Sequence, residues 1–399
     1  MGGRGRLGGW RRRRPRPRFR HVVEIASGIL IANVGDVANI FISAYLAWAL
    51  TRYPVILALL PGLASIRGGV MSSMAARLST ALQLGTLKPR LLEALEAEAA
   101  GVITATLLGT VMVALAASLA SGLGFPECLS AAGISSAVVL LAMLPFAAAI
   151  AVFIYRRGVN PDNVAAPVLT VVGDIITLPS LAAAVVLLEP YGPRLEAAAS
   201  LLVLWAAATT LFYSILGGGR LARVVRDSAI ALALLGLLES GAGSVLARWR
   251  VVLYSAGLIH VVGSLLEDAG AAAAVVSSRS STILHLYGPS RLAPALASMV
   301  IEAVLGALPG LAILSGIGYM SASLAGIPAS PGNLLAALVG GGSILVAVGS
   351  VAGAGIAWLA YRLQLDPDSI AIPVVTSLVD LTGTIIVAAI ALELAQPLG

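Results

Sequence analysis

Charge is scarce in this chain: Asp, Glu, Lys and Arg make up 11% of its 399 residues, against about a quarter in an ordinary water-soluble domain. A soluble globular fold is excluded. Cysteine is almost absent as well. Cys128 stands alone and cannot close an intrachain disulfide, and His21, His260 and His285 are too few and too scattered for a zinc motif. Redox and zinc chemistry drop out together. Stretches such as Ala99 to Leu119 lack the polar and apolar alternation that a transmembrane β-barrel needs. No ATP-binding motif is seen either, and no prosthetic group is expected.

What the chain has in abundance is apolar surface. Hydrophobic residues reach 59% and the mean hydropathy is +0.97. Apolar runs of about 20 residues or more recur, each long enough to cross a hydrocarbon core of about 30 Å. They predict an all-α polytopic membrane protein with eleven spans, near 23–49, 53–85, 98–123, 132–155, 163–189, 195–216, 226–247, 251–285, 295–325, 333–361 and 368–394. The longest must tilt, kink or break at their glycines and prolines.

Of the 25 Lys and Arg, nine lie in the tail Met1 to Arg20, where Arg11 to Arg14 precede Pro15 and Pro17. The tail reads as a disordered cytoplasmic arm that contacts anionic lipid; nucleic acid is not the expected partner. A cleaved signal peptide is not expected, because the span that follows is too long and holds Glu24 and Asp36. With the N-terminus inside, the other cytoplasmic segments carry nine basic residues (Lys88, Arg90, Arg156, Arg157, Arg220, Arg223, Arg226, Arg291, Arg362) and the outer loops four (Arg52, Arg194, Arg248, Arg250). The positive-inside rule then puts the C-terminus outside the cell membrane.

The chain also repeats itself. PDNVAAPVLTVVGD from Pro161 to Asp174 aligns without gaps with PDSIAIPVVTSLVD from Pro367 to Asp380, an offset of 206 residues. Upstream, the eight residues from Arg77 pair with the eight from Arg279, and Glu24 and Asp36 pair with Asp227 and Glu239. Two five-helix units follow. Five is odd, so an additional crossing helix, near 195–216, is needed to keep the units parallel. The predicted organisation is a tail (1–20), a first repeat (21–190), a linker helix (191–222) and a second repeat (223–399), related by a pseudo-two-fold axis along the membrane normal.

Ionisable groups at bilayer depth are costly and mark cavities, partners or substrates. Asp174 and Asp380 stand twelve residues beyond Asp162 and Asp368, about 18 Å along a helix and so near the midplane. Facing each other across the axis, with hydroxyls from Thr170, Thr177, Thr376, Ser377 and Thr382, they would make a doubly negative site for a hard divalent cation. Each Asp has an alternative, either as the ion-pair partner of Arg67, Arg77 or Arg279 or as a group protonated within the bundle. Asp162 and Asp368 fit helix capping, and together with Asp366 a cation-concentrating mouth; the two roles are compatible. Glu267 and Asp268 answer Arg67 or Arg77 in this reading, and Asp36 and Glu239, at equivalent positions, fit proton coupling or a second ion site. Glu302 belongs to the same acidic group. Close packing and ligand approach both account for the glycines at Gly68-Gly69 and Gly340 to Gly342.

The Pro-Asp entrance, the Val/Ile-Ala-x-Pro that follows, and then a Thr with an Asp four residues on resemble the last helix of the MgtE magnesium transporters and of solute carrier family forty-one. Arg77-Leu78-Ser79-Thr80 resembles the Arg-Leu-Ser-Thr stretch that closes their second helix. The likeness covers residues 20 to 399. It implies that one chain supplies both halves of a pseudo-dimer, and that Asp174 and Asp380 correspond to the family's central magnesium-binding aspartate. The chain departs from the pattern at Gly68-Gly69 and Gly270-Ala271, where relatives usually show Gly-Asn. With a tail of only about 20 residues, ion-dependent closure by a cytoplasmic sensor domain is not expected. The expected activity is divalent cation transport, Mg²⁺ first, with Asp174, Asp380, Asp162, Asp368, Thr170, Thr376 and Ser377 at the ion. The alternatives are a proton- or sodium-coupled carrier of another solute and an intramembrane aspartyl protease.

Overall fold

Lipid offers no hydrogen bonds, so apolar segments must satisfy their own backbone, and these do so as helices. A computed structural model describes residues 19–157, 165–217, 219–364 and 367–395. In chain order the helices are α1 (Phe19–Tyr45), α2 (Ala47–Arg52), α3 (Pro54–Gln83), α4 (Leu91–Ser121), α5 (Phe125–Arg156), α6 (Ala165–Leu188), α7 (Gly192–Gly217), α8 (Gly219–Ser255), α9 (Val262–Tyr287), α10 (Leu292–Ala325), α11 (Pro331–Leu335), α12 (Gly342–Arg362) and α13 (Pro367–Leu394). A π turn over Ala336–Gly341 fuses α11 to α12. There is no strand among the described residues.

Among the described residues, eight stretches combine the length and the apolarity of a membrane span. One of them, Val171–Leu216, holds two helices, α6 and α7, divided by a 3₁₀ turn at Glu189–Tyr191. Helix α9 is long enough at 26 residues but is not among these stretches. The charges that α9 carries, Glu267, Asp268 and Arg279, mark it as a helix with something to do inside the bundle.

The structure moves one expected boundary. The pattern placed an outer loop at Arg248 to Arg250, yet α8 continues through both to Ser255. The Arg250 guanidinium donates to the Ala247 and Thr51 carbonyls (2.8 and 2.9 Å), so its charge sits near a helix end without breaking it. The chain turns instead at Gly257, whose φ of +73° suits glycine and whose α-carbon lies against Pro328 and Ala329. In the first half the corresponding break falls at the extended Tyr53, between α2 and α3, and Pro54 opens α3, a position where its missing N–H costs nothing.

Packing crosses the repeat boundary. Helix α1 lies mainly against α10, and α8 against α3 and α4. Each half therefore lends its first helix to the other. Small residues permit the close approach: Gly306 and Gly310 of α10 meet Ile25 and Ile29 of α1, and Gly243 of α8 meets the Leu57 and Ala58 carbonyls of α3. Helix α7 packs on α5 and α4 and keeps Leu201, Leu202, Trp205, Phe212 and Tyr213 exposed, the surface of a helix that faces lipid.

Candidate ion site at the junction of the two halves

The exchange of first helices decides where the carboxylates meet. Helix α6 packs on α1, with Val171 against Gly35, and α13 packs on α8, with Leu381 3.2 Å from where a side chain on Gly241 would begin. Helices α6 and α13 have no comparable contact with each other. Asp174 consequently neighbours Asp36, and Asp380 neighbours Glu239. Between the two pairs stands Glu267 of α9, whose charge is felt by Asp36 and Asp380 and which itself feels Asp174. Asp174 and Asp380 are thus both within electrostatic reach of Glu267.

Several contacts at this junction lack a proton donor. The carboxyls of Asp36 and Glu267 lie within hydrogen-bonding reach of one another, as do those of Glu239 and Asp380. Two carboxyls hold such a contact only with a proton or a cation between them. Asp36 and Glu239 are each 3% exposed, and Asp36 Oδ2 and Glu239 Oε2 have no hydrogen-bond partner. Ser377 Oγ donates to Glu239 Oε1 at 2.7 Å. Asp268 is served by Asn33, whose amide, turned to satisfy both groups, donates to Oδ1 at 2.6 Å and to the Ile29 carbonyl at 3.0 Å. Glu267 is exposed to solvent although protein surrounds it densely; a side chain facing water inside a bundle has this combination.

Among the described residues, only the first half brings a cation to this junction. Arg67 of α3 is 4% exposed and ion-pairs with Asp174, which is 17% exposed on its side chain. Its guanidinium lies over Gly173, where any side chain would collide with it. Arg67 Nε and Nη1 have no hydrogen-bond partner. Of the ion-pair alternatives weighed for the two aspartates, Arg67 with Asp174 is the one that forms. Arg77 and Arg279 are engaged elsewhere. They bind Glu98 and Glu302 at 2.7 Å each, an ion pair that recurs in both halves between α3 and α4 and between α9 and α10. His21 joins the second of these, with Nδ1 3.0 Å from Glu302 Oε2. Glu98 was missed in the sequence, although its offset of 204 from Glu302 belongs to the repeat.

The remaining expected ligands are distributed as follows. Thr177 Oγ1 donates to the Gly173 carbonyl (2.8 Å) and Thr382 Oγ1 to the Leu378 carbonyl (2.7 Å), each within its own helix. Thr376 faces Gly270 of α9. Asp162 and Asp366 lie outside the described residues, and so do the side chains of Thr170, Asp227 and Asp368. Among the described residues, no three His, Cys, Asp or Glu side chains converge closely enough to hold a metal by themselves.

The family model described as MgtE, divalent cation transporter, matches residues 60–184 and 262–390. The chain belongs to the MgtE divalent cation transporter family. No curated protein and no solved structure matches it. MgtE is a family of transporters, not of enzymes, and its double match confirms the internal repeat: the two segments start 202 residues apart and end 206 apart. The first runs from α3 to α6 and the second from α9 to α13. Both leave out α1 and α8, the exchanged helices that carry Asp36 and Glu239.

Proposed function

We propose that this protein passes Mg²⁺ across the cell membrane along a path between its two halves, lined by Asp36, Asp174, Glu239, Glu267 and Asp380. The observation that carries the reading is the pair of facing carboxyls, Asp36 with Glu267 and Glu239 with Asp380, on two buried oxygens of which nothing donates. A divalent ion supplies the missing positive charge. Five acidic side chains without a closed set of protein ligands suit an ion that keeps most of its water, as Mg²⁺ does because it dehydrates reluctantly. Sodium- or proton-coupled carriage of another solute stands as the alternative. The protease alternative loses its support, since Asp174 is paired with Arg67 and the carboxyl beside Asp380 is that of Glu239.

In this reading residues 21–190 and 223–399 are two parallel repeats about an axis along the membrane normal, and 191–222 is the helix that joins them. Asp162 and Asp368 gather cations at a cytoplasmic mouth, the N-terminus is cytoplasmic, and the basic tail rests on anionic lipid. Inward flux draws on the membrane potential, worth about 2.3 kcal/mol per charge per 100 mV and twice that for a divalent ion. Liposomes containing the purified protein test the reading. Mg²⁺ uptake is expected, with Ca²⁺, Mn²⁺ and Co²⁺ compared alongside, and Asp380→Asn combined with Glu239→Gln abolishes it. Undiminished uptake by that double variant removes the proposal.

A further inference from the structure

We propose that Arg67 is a tethered cation that occupies the first half's carboxylate, so that the travelling ion is held chiefly by the second half's Glu239, Asp380 and Glu267. The inference rests on the divalent-cation reading above and adds a residue that sets how many ions bind and how tightly.

Four observations converge on Arg67. It is buried with its guanidinium on Asp174, inside a junction otherwise made of carboxyls. Two of its three nitrogens have no acceptor, so the group is not anchored by a hydrogen-bond network as a purely structural arginine would be. Its seat exists because residue 173 is glycine. The repeat withholds both features from the other side: the residues aligned with Arg67 and Gly173 are Ala269 and Val379. In place of Ser65-Ile66-Arg67, the second half carries Glu267-Asp268-Ala269. One half has supplied a fixed positive charge and the other two negative ones at the same register.

A fixed guanidinium does two things to a divalent ion. It neutralises Asp174, removing one ligand from competition, and it repels a second cation from the adjoining Glu267, whose charge lies within its reach. The junction then takes up fewer ions, more weakly, than its count of carboxylates would allow. Weak binding suits conduction, because an ion held by every carboxylate would not leave.

The test is Mg²⁺ titration of the purified full-length protein by calorimetry, with Arg67→Gln, Arg67→Gln/Asp174→Asn and Asp380→Asn. Arg67→Gln is expected to bind one more Mg²⁺ per chain than the wild type, with half-saturation lowered about ten- to a hundredfold. Adding Asp174→Asn removes the additional ion. If Arg67→Gln gains no ion and tightens binding by less than about threefold while Asp380→Asn still weakens it, the proposal for Arg67 is overturned and the ion site stands. If Asp380→Asn leaves binding unaltered, the ion site itself is wrong, and the role of Arg67 falls with it. Should Arg67→Gln not fold, Gly173→Ala keeps both charges and pushes the guanidinium from its seat. A gain in Mg²⁺ affinity smaller than that of Arg67→Gln is then expected, and no gain overturns the proposal.

Discussion

The two halves share a sequence pattern and a helix order but differ in charge where they meet. The first contributes Asp36, Asp174 and Arg67; the second contributes Glu239, Glu267, Asp268 and Asp380 with no basic side chain among its α9 and α13 positions at the junction. Away from the junction the halves agree, each bracing its second and third long helices with an Arg–Glu pair. Duplication has kept the scaffold and let the centre diverge. A repeat therefore predicts architecture more safely than it predicts equivalent chemistry.

The largest effect should fall on the second half. Asp380→Asn is expected to lower Mg²⁺ uptake at subsaturating concentration about a hundredfold, and Asp174→Asn only about tenfold, because Asp174 is already occupied by Arg67. Equal losses in a liposome flux assay would erase the difference between the halves. The scaffold comes next. A methyl group on Gly243 meets the Leu57 and Ala58 carbonyls, which are fixed in α3, whereas one on Gly310 meets side-chain atoms of Ile29, Asn33 and Asp268 that can shift. Gly243→Ala should cost about 2 to 4 kcal/mol and Gly310→Ala less, measured by thermal unfolding in detergent. The recurring ion pairs give the smallest change. Their acidic partners are buried, but the guanidiniums of Arg77 and Arg279 are 26% and 30% exposed. Arg77→Ala and Arg279→Ala should each destabilise by about 1 to 3 kcal/mol, below the full penalty for a buried pair. A large difference between those two variants would extend the asymmetry to the scaffold.

The helices were legible because apolar length is a strong local signal, and the repeat was legible because Pro-Asp and Val/Ile-Ala-x-Pro recur in register. The break after α8 was not. Arg248 and Arg250 looked like loop residues, and the contact of Arg250 with Thr51 of α2 shows how the end of the helix takes up that charge. Asp174 and Asp380 stood out by their symmetry, and Arg67 was among the partners weighed for them. What could not be foreseen is that Glu239 lies beside Asp380 and that Glu267 joins the two sides. Those neighbours depend on α1 and α8 changing places, a property of tertiary packing that no local periodicity encodes. The family match has the same blind spot, since it begins after each exchanged helix.

The traded helices carry a consequence for how the molecule could be taken apart. Severing the polypeptide near α7 would yield two fragments, each with a long apolar rod whose seat is on its counterpart and a vacant groove awaiting the other's rod. Neither piece is self-sufficient, but co-expressed they have a built-in means of recognising one another. Reassembly from two separately encoded polypeptides should recover cation uptake that neither supports alone.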